Sequence, residues 1–193
     1  MTKFAFPKVI QEGYIATSLD GYIARRNGSV DWLPSEDTGE DFGYAAFYQS
    51  VDVLAMGRTT YEQVLSFGEW PYPSKPSYVF TQQALISDRP DVFFTSVPPD
   101  HFVQEMTSQG FHRIWLVGGA ALVAAFLKLG LIDQYILSVM PVILGDGIPL
   151  FSSPHPETAL KLVKVQQYHS IGAVQITYQN KRATSTEVTP NKN

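Results

Sequence analysis

Short apolar runs of strand character recur along this chain with helix-patterned segments between the earlier ones, and this alternation restricts the fold more than any other feature. The strand-like runs lie at about Val9 to Thr17, Val51 to Met56, Ser77 to Thr81, Val92 to Thr95, Arg113 to Val117, Gln134 to Pro141, Leu160 to Tyr168 and Val174 to Asn180. Helical patterns occupy Glu40 to Ser50, Thr60 to Ser66, Asp100 to Gln109 and Ala120 to Leu129. Alternating strands and helices predict an α/β fold with a mostly parallel central sheet, because only a crossover element can return the chain to start a parallel neighbour. The last three runs follow one another without a helix, so that end of the sheet is expected to be antiparallel.

At 193 residues the chain is read as a single domain, 1–193, with a flexible polar tail from about 182 to 193. A formal charge of −4 argues against a basic nucleic-acid surface. No apolar run approaches the roughly 18 residues of a membrane span, and the N-terminus lacks a secretory pattern, so a cytoplasmic location is expected. The absence of cysteine removes disulfides, thiolate metal sites and cysteine nucleophiles. The four histidines, His101, His112, His155 and His169, are scattered without metal-ligand spacing, and no metal is expected.

Two glycine junctions mark where chemistry is expected. In "VDVLAMGRTTYEQV" an apolar strand turns at Gly57 into a helix, with Arg58, Thr59 and Thr60 at the seam. A helix start offers free N–H groups and the positive dipole end, which mildly repels a cation, so an arginine there points to a bound anion. In "RIWLVGGAALVAAFLKLG" a second buried strand turns through Gly118 and Gly119 into an alanine-rich helix starting at Ala120 and Ala121. Paired glycines let the backbone approach a ligand such as a diphosphate closely. The common dinucleotide, nucleoside-triphosphatase and serine-hydrolase fingerprints are missing.

The segments "SLDGYIA", "VDWL", "MGRTTYEQV", "VFT", "LVGGAAL" and "LIDQYILSVMPVILGDGIPLF", in this order, resemble the dihydrofolate reductase superfamily. Within it the chain is most similar to the branch of the riboflavin-biosynthesis deaminase-reductase, in its reductase domain, from about Val9 to Tyr178. The resemblance implies a dihydrofolate-reductase-like three-layer fold, NADPH as cofactor, a small-molecule substrate and a homodimer. It assigns the junction at Gly57 to the adenosine 2′-phosphate, with Arg58 and either Thr59 or Thr60 as ligands, and puts Thr81 beside the adenosine. Gly118, Gly119, Ala120 and Ala121 fall to the diphosphate and nicotinamide, and Ala16 and Ile23 pack near the nicotinamide. Family members often place a basic residue after the position of Thr81, where this chain has Gln82 and Gln83.

On the substrate side, reduction of a C=N bond needs a proton donor or a polarising group. Counting five residues from Trp32, as the dihydrofolate reductase pattern suggests, lands on Asp37, with Glu36, Glu40 and Asp41 as alternatives. The same acids also suit a helix start. Trp32 is a candidate for stacking on a flat ring or for a core anchor. The riboflavin reductases carry a glutamate before the Gly-Gly pair, where this chain has Val117, and the P-C-x-x-C signature of the zinc-deaminase half does not occur in this sequence. The expected activity is an NADPH-dependent reductase of a pterin-like, pyrimidine or imine-containing substrate. A riboflavin-type ribosylaminopyrimidine reductase and a non-catalytic nucleotide-binding protein are the alternatives.

Overall fold

The computed structural model describes residues 10–34 and 41–181. The expected polar tail lies outside them, as does the start of the first run at Val9. Strands β1 (Ile10–Ser18) and β2 (Tyr22–Ala24) precede α1 (Tyr44–Ser50). Then come β3 (Val53–Gly57), α2 (Arg58–Ser66), β4 (Ser77–Phe80), β5 (Val92–Thr95), α3 (Pro99–Ser108), β6 (Arg113–Gly118) and α4 (Ala120–Lys128). The chain continues through β7 (Gln134–Met140), β8 (Ile148–Pro149), β9 (Leu160–Tyr168) and β10 (Ala173–Asn180).

Eight strands form one sheet in the order β5-β4-β3-β6-β1-β7-β10-β9. Neighbours from β5 to β7 are parallel, whereas β10 runs antiparallel to both β7 and β9. The sheet is therefore mostly parallel with an antiparallel C-terminal end. Its last strand in sequence, β10, inserts beside β7 and leaves β9 on the edge.

The apolar run of β3 is continuous because both faces of that strand are covered, as the central strands of a parallel sheet require. Val53 and Ala55 point into a cluster with Phe102 and Met106 of α3 and Leu122, Val123 and Phe126 of α4. Leu54 and Met56 point the other way, into a cluster with Phe47 of α1, Val64 of α2 and Trp115 of β6. Helices α1 and α2 thus cover one face of the sheet, and α3 and α4 the other. This is the three-layer dihydrofolate-reductase-like arrangement.

Most boundaries fall within two residues of the sequence reading, and the larger differences have physical causes. Helix α1 begins at Tyr44 rather than Glu40, because Phe42 and Gly43 adopt left-handed backbone angles (φ 54° and 78°) that interrupt a helix. Asp41 stands just before it, its carboxylate accepting hydrogen bonds from the backbone N–H groups of Gly43 (2.9 Å) and Ala45 (3.2 Å). Helix α2 begins at Arg58 rather than Thr60, directly after β3. Strands β2 and β8 pair antiparallel with each other and are too short for periodicity to reveal.

Phe102 is completely buried and Phe67 is 68% exposed. Phe102→Ala is expected to lower the unfolding free energy by about 3–5 kcal/mol, as cavity-forming aromatic truncations do, and Phe67→Ala by less than about 0.5 kcal/mol. Urea unfolding followed by far-UV circular dichroism measures both.

Candidate active site

Strands β3 and β6 are hydrogen-bonded parallel neighbours, with Met56 opposite Gly118, so the two glycine junctions stand side by side. After β3 the chain enters α2 on one face of the sheet, and after β6 it enters α4 on the other. Adjacent strands whose helices depart to opposite faces leave a crevice at their carboxyl ends, where open α/β sheets bind ligands. Here the crevice is a cleft of about 1160 Å³.

The glycines shape its floor. A Cβ on Gly57 would stand 3.8 Å from the Gly119 nitrogen and 4.0 Å from the Gly118 oxygen, so the two turns face one another closely. Gly118 has φ +136°, which side-chain-bearing residues rarely adopt, and the Gly118–Gly119 peptide is cis. A Cβ on Gly119 would lie 3.1 Å from the Thr60 hydroxyl, which fills the space the glycine leaves. Neither α2 nor α4 has a side-chain cap or an acid in its first turn. Both starts therefore keep their affinity for an anion.

Arg58 Nη1 donates to Glu62 Oε1 and to Gln83 Oε1, both at 3.2 Å. The Gln83 backbone N–H in turn donates to the Thr81 hydroxyl at 3.1 Å. Gln83 thus orients the arginine from across the junction, a contact between distant segments that spacing along the chain does not show.

A crossing segment closes one side of the cleft through Ile23, Ala24, Gly28, Val30 and Leu33. Asp20 fixes its base. The Asp20 carboxylate accepts hydrogen bonds from the Ser18 hydroxyl (2.6 Å) and from the backbone N–H groups of Leu144 (3.1 Å) and Gly145 (2.7 Å). These donors, Ser18 foremost, hold its pKa below the usual carboxylate value. Gly147 passes so close to the segment that a Cβ there would fall 2.3 Å from the Ala24 carbonyl oxygen. The glycine-rich stretch from 143 to 147 is therefore a clamp on the crossing segment, with Asp20 as a structural turn residue.

Tyr14 lines the inner end. Its hydroxyl donates to the Phe42 carbonyl (2.9 Å) and accepts from Gln175 Nε2 (3.3 Å), which also donates to the Ser138 hydroxyl (3.1 Å). Burial pushes the Tyr14 phenol up from 10.0 to about 12, against the opposing hydrogen bond from Gln175. It remains neutral at physiological pH. The sequence reading missed this network, whose members come from three strands and whose polar residues look like ordinary alternation in each.

The residues singled out in the sequence distribute as follows. Ala16, Ile23, Gly57, Arg58, Thr59, Thr60, Thr81, Gly118, Gly119, Ala120 and Ala121 all line the cleft. Val117 also lines it, leaving an apolar side chain where the riboflavin reductases carry their glutamate. Trp32 does not line it: the indole packs against Met140, Tyr168 and Ala173, which corrects the stacking assignment in favour of a core anchor. Asp37, Glu36 and Glu40 lie outside the described residues. Asp41 is engaged at the start of α1.

A three-layer sheet with its cleft between two glycine junctions defines a dihydrofolate-reductase-like protein. Within that class the chain belongs to the family of the RibD C-terminal domain, whose profile matches residues 10–171. It is 42% identical to the uncharacterized protein YwjB of Bacillus subtilis (strain 168) over 166 residues, 86% of this chain and 94% of that protein. A solved protein of Shewanella sp. PV-4, provisionally described as a riboflavin biosynthesis protein, superposes with a TM-score of 0.81 at 33% identity, covering 90% of this chain and 99% of that one. RibD of Acinetobacter baumannii shares the fold with a TM-score of 0.69 at 16% identity, covering 90% of this chain and 58% of that one. The family is thus one of riboflavin-pathway-like reductase domains.

Buried tyrosines give the stability a defined alkaline limit. Tyr14, Tyr48 and Tyr135 are each pushed up to about 12 by burial, and Tyr72 is pushed up as well. A pKa raised on folding contributes stability that is complete below the unfolded value, ordinarily about 10, and is lost as pH climbs through the folded value. The urea midpoint is expected to lose no tyrosine-linked stability up to about pH 9 and then to fall between about pH 10 and 12. Phenolate absorbance at 295 nm on the folded protein checks the same shift, and ionisation of all ten tyrosines near 10 would contradict it.

Proposed function

We propose that this protein is an NADPH-dependent reductase that transfers hydride to a small pterin-like, pyrimidine or imine-containing substrate. The observation that carries the reading is the pair of adjacent glycine junctions with a cation at one of them. The floor fits an extended diphosphate, because Gly57, Gly118 and Gly119 present backbone where side chains would intrude. Ala120 and Ala121 supply the start of α4 toward that anion.

In this reading Arg58, with Thr59 and Thr60 at the start of α2 and Thr81 beside them, holds the adenosine 2′-phosphate. A guanidinium carries five N–H donors, so Arg58 can keep its contacts with Gln83 and Glu62 while meeting a phosphate. Ala16 and Ile23 flank the nicotinamide with small and aliphatic surface. The bound cofactor supplies the hydride. The crossing segment held by Asp20 and Gly147 excludes water from the reacting end. Asp37 is the acid proposed to hold or deliver the proton on the substrate side.

Charge-assisted hydrogen bonds are worth about 1.5–3 kcal/mol, so Arg58→Ala should weaken NADPH roughly 10- to 100-fold while leaving NADH within about threefold. Titrations of tryptophan quenching with each cofactor make the comparison, and equal losses would remove Arg58 from the 2′-phosphate. Asp37→Asn should lower kcat by about 100-fold or more, the usual scale of a lost general acid, with little change in NADPH affinity. Unchanged turnover in a steady-state assay would place the acid elsewhere.

A further inference from the structure

Arg58 and Glu62 stand one turn apart on α2, so both reach the same side of the helix. Arg58 Nη1 lies 3.2 Å from Glu62 Oε1 and 3.2 Å from Gln83 Oε1. That nitrogen carries two hydrogens, and both are taken. The opposite edge of the guanidinium, Nε and Nη2, has no partner among the described residues, and it is an edge that a phosphate can meet with two parallel hydrogen bonds. The ion pair itself does little for the helix. An acid followed one turn later by a base is the stabilising order, and Arg58–Glu62 has the reverse. The two side chains are also 40% and 54% exposed, where such a pair contributes little.

Its effect on an arriving anion is larger. Among the described residues that line the cleft, Arg58 is the one charged side chain. The neighbouring rim residues Thr59, Thr60, Thr81, Gln82 and Gln83 are neutral, so no second cation supports it there. With Glu62 against the guanidinium, the two formal charges at this corner cancel. A phosphate monoester brings nearly two negative charges at neutral pH. An oxygen bonded to the free edge of Arg58 would stand roughly 8 Å or less from the Glu62 carboxylate, the span of two hydrogen bonds and the guanidinium between them. That is about one screening length at physiological salt, so repulsion persists across it. A neutral 2′-hydroxyl meets no such penalty. The corner therefore attracts a 2′-phosphate through one residue and repels it through another.

We infer that Glu62 is a specificity-determining residue: it opposes the 2′-phosphate that Arg58 attracts, and so holds the preference for NADPH over NADH below the level that the arginine alone would set. The inference rests on the proposed reductase reading, in which Arg58 meets that phosphate. Gln83 completes the arrangement by keeping the arginine at the corner without adding charge. Its backbone N–H, bonded to the Thr81 hydroxyl, ties it to the residue that follows β4.

The test uses the full chain, with tryptophan quenching titrated by NADPH, NADH, adenosine 2′,5′-bisphosphate and adenosine 5′-monophosphate, the last two differing only in the 2′-phosphate. Glu62→Gln keeps the size of the side chain and an oxygen acceptor for Arg58, and removes the charge. It is expected to tighten NADPH and the bisphosphate about threefold to tenfold at low salt, with NADH and the monophosphate changed by less than about twofold. The gain should vanish at about 1 M salt, where the screening length is about 3 Å, a dependence that a purely structural role for Glu62 would not produce. Gln83→Glu sets a second carboxylate against the same nitrogen, and should lower NADPH affinity at least about threefold while sparing NADH. The inference is overturned if Glu62→Gln weakens NADPH, or if it leaves the ratio of NADPH to NADH affinity within about twofold of the unaltered chain. Failure of the unaltered chain to bind either dinucleotide would overturn the reductase reading instead.

Discussion

Everything at the candidate site depends on one topological constraint: two neighbouring parallel strands whose helices leave toward opposite faces of the sheet. Close packing elsewhere would shut any gap between layers. At β3 and β6 the gap stays open because no element follows both strands on the same side. Both strands are buried on both faces, so their ends are held by the core rather than by loop conformation. A ligand site built on such ends is positioned more accurately than one built on loops.

Much of this was legible in the sequence because the signals are local. The runs at Val92 and Leu160 match their strands end to end, and the two glycine junctions announce themselves by a change from strand to helix pattern. The identity of neighbouring strands was less accessible. That β6 inserts between β3 and β1, and β10 between β7 and β9, is decided by tertiary packing that leaves no trace in periodicity. Trp32 shows the limit most clearly. It sits one residue from Leu33, and both pack against the cluster of Met140, Tyr168 and Ala173, yet only Leu33 also reaches the cleft. Neither spacing nor residue type could tell which of the two neighbours borders the cleft.

The polar groups follow the same division. Asp20 was legible as a turn residue because Asp-Gly has an intrinsic conformational preference. Its longer reach, to the backbone of Leu144 and Gly145, depends on a segment more than a hundred positions away. Gln83 was conspicuous only as a departure from a family pattern. In the fold it becomes the residue that holds Arg58 from the far side of the junction, so the departure changes the cation's surroundings without removing the cation. Gln175 and Ser138 had no signal at all, since a single polar residue in a strand usually faces water, and here both are buried, with the Gln175 amide donating to the hydroxyls of Tyr14 and Ser138.

The eight-stranded sheet also has an unprotected margin. Strand β9 lies at its edge with Leu162, Val163 and Val165 exposed, a combination that in isolation invites edge-to-edge aggregation. Its register against β10 slips between Thr177 and Tyr178, so Val163 has no residue opposite it and the ladder is interrupted there. Lys161 and Lys164 stand on either side of that interruption, both exposed. A broken ladder flanked by two ammonium groups is a poor template for an incoming strand. Among the described residues, the apolar side chains of this edge are thus interleaved with charge and a break in register that work against adding a further strand.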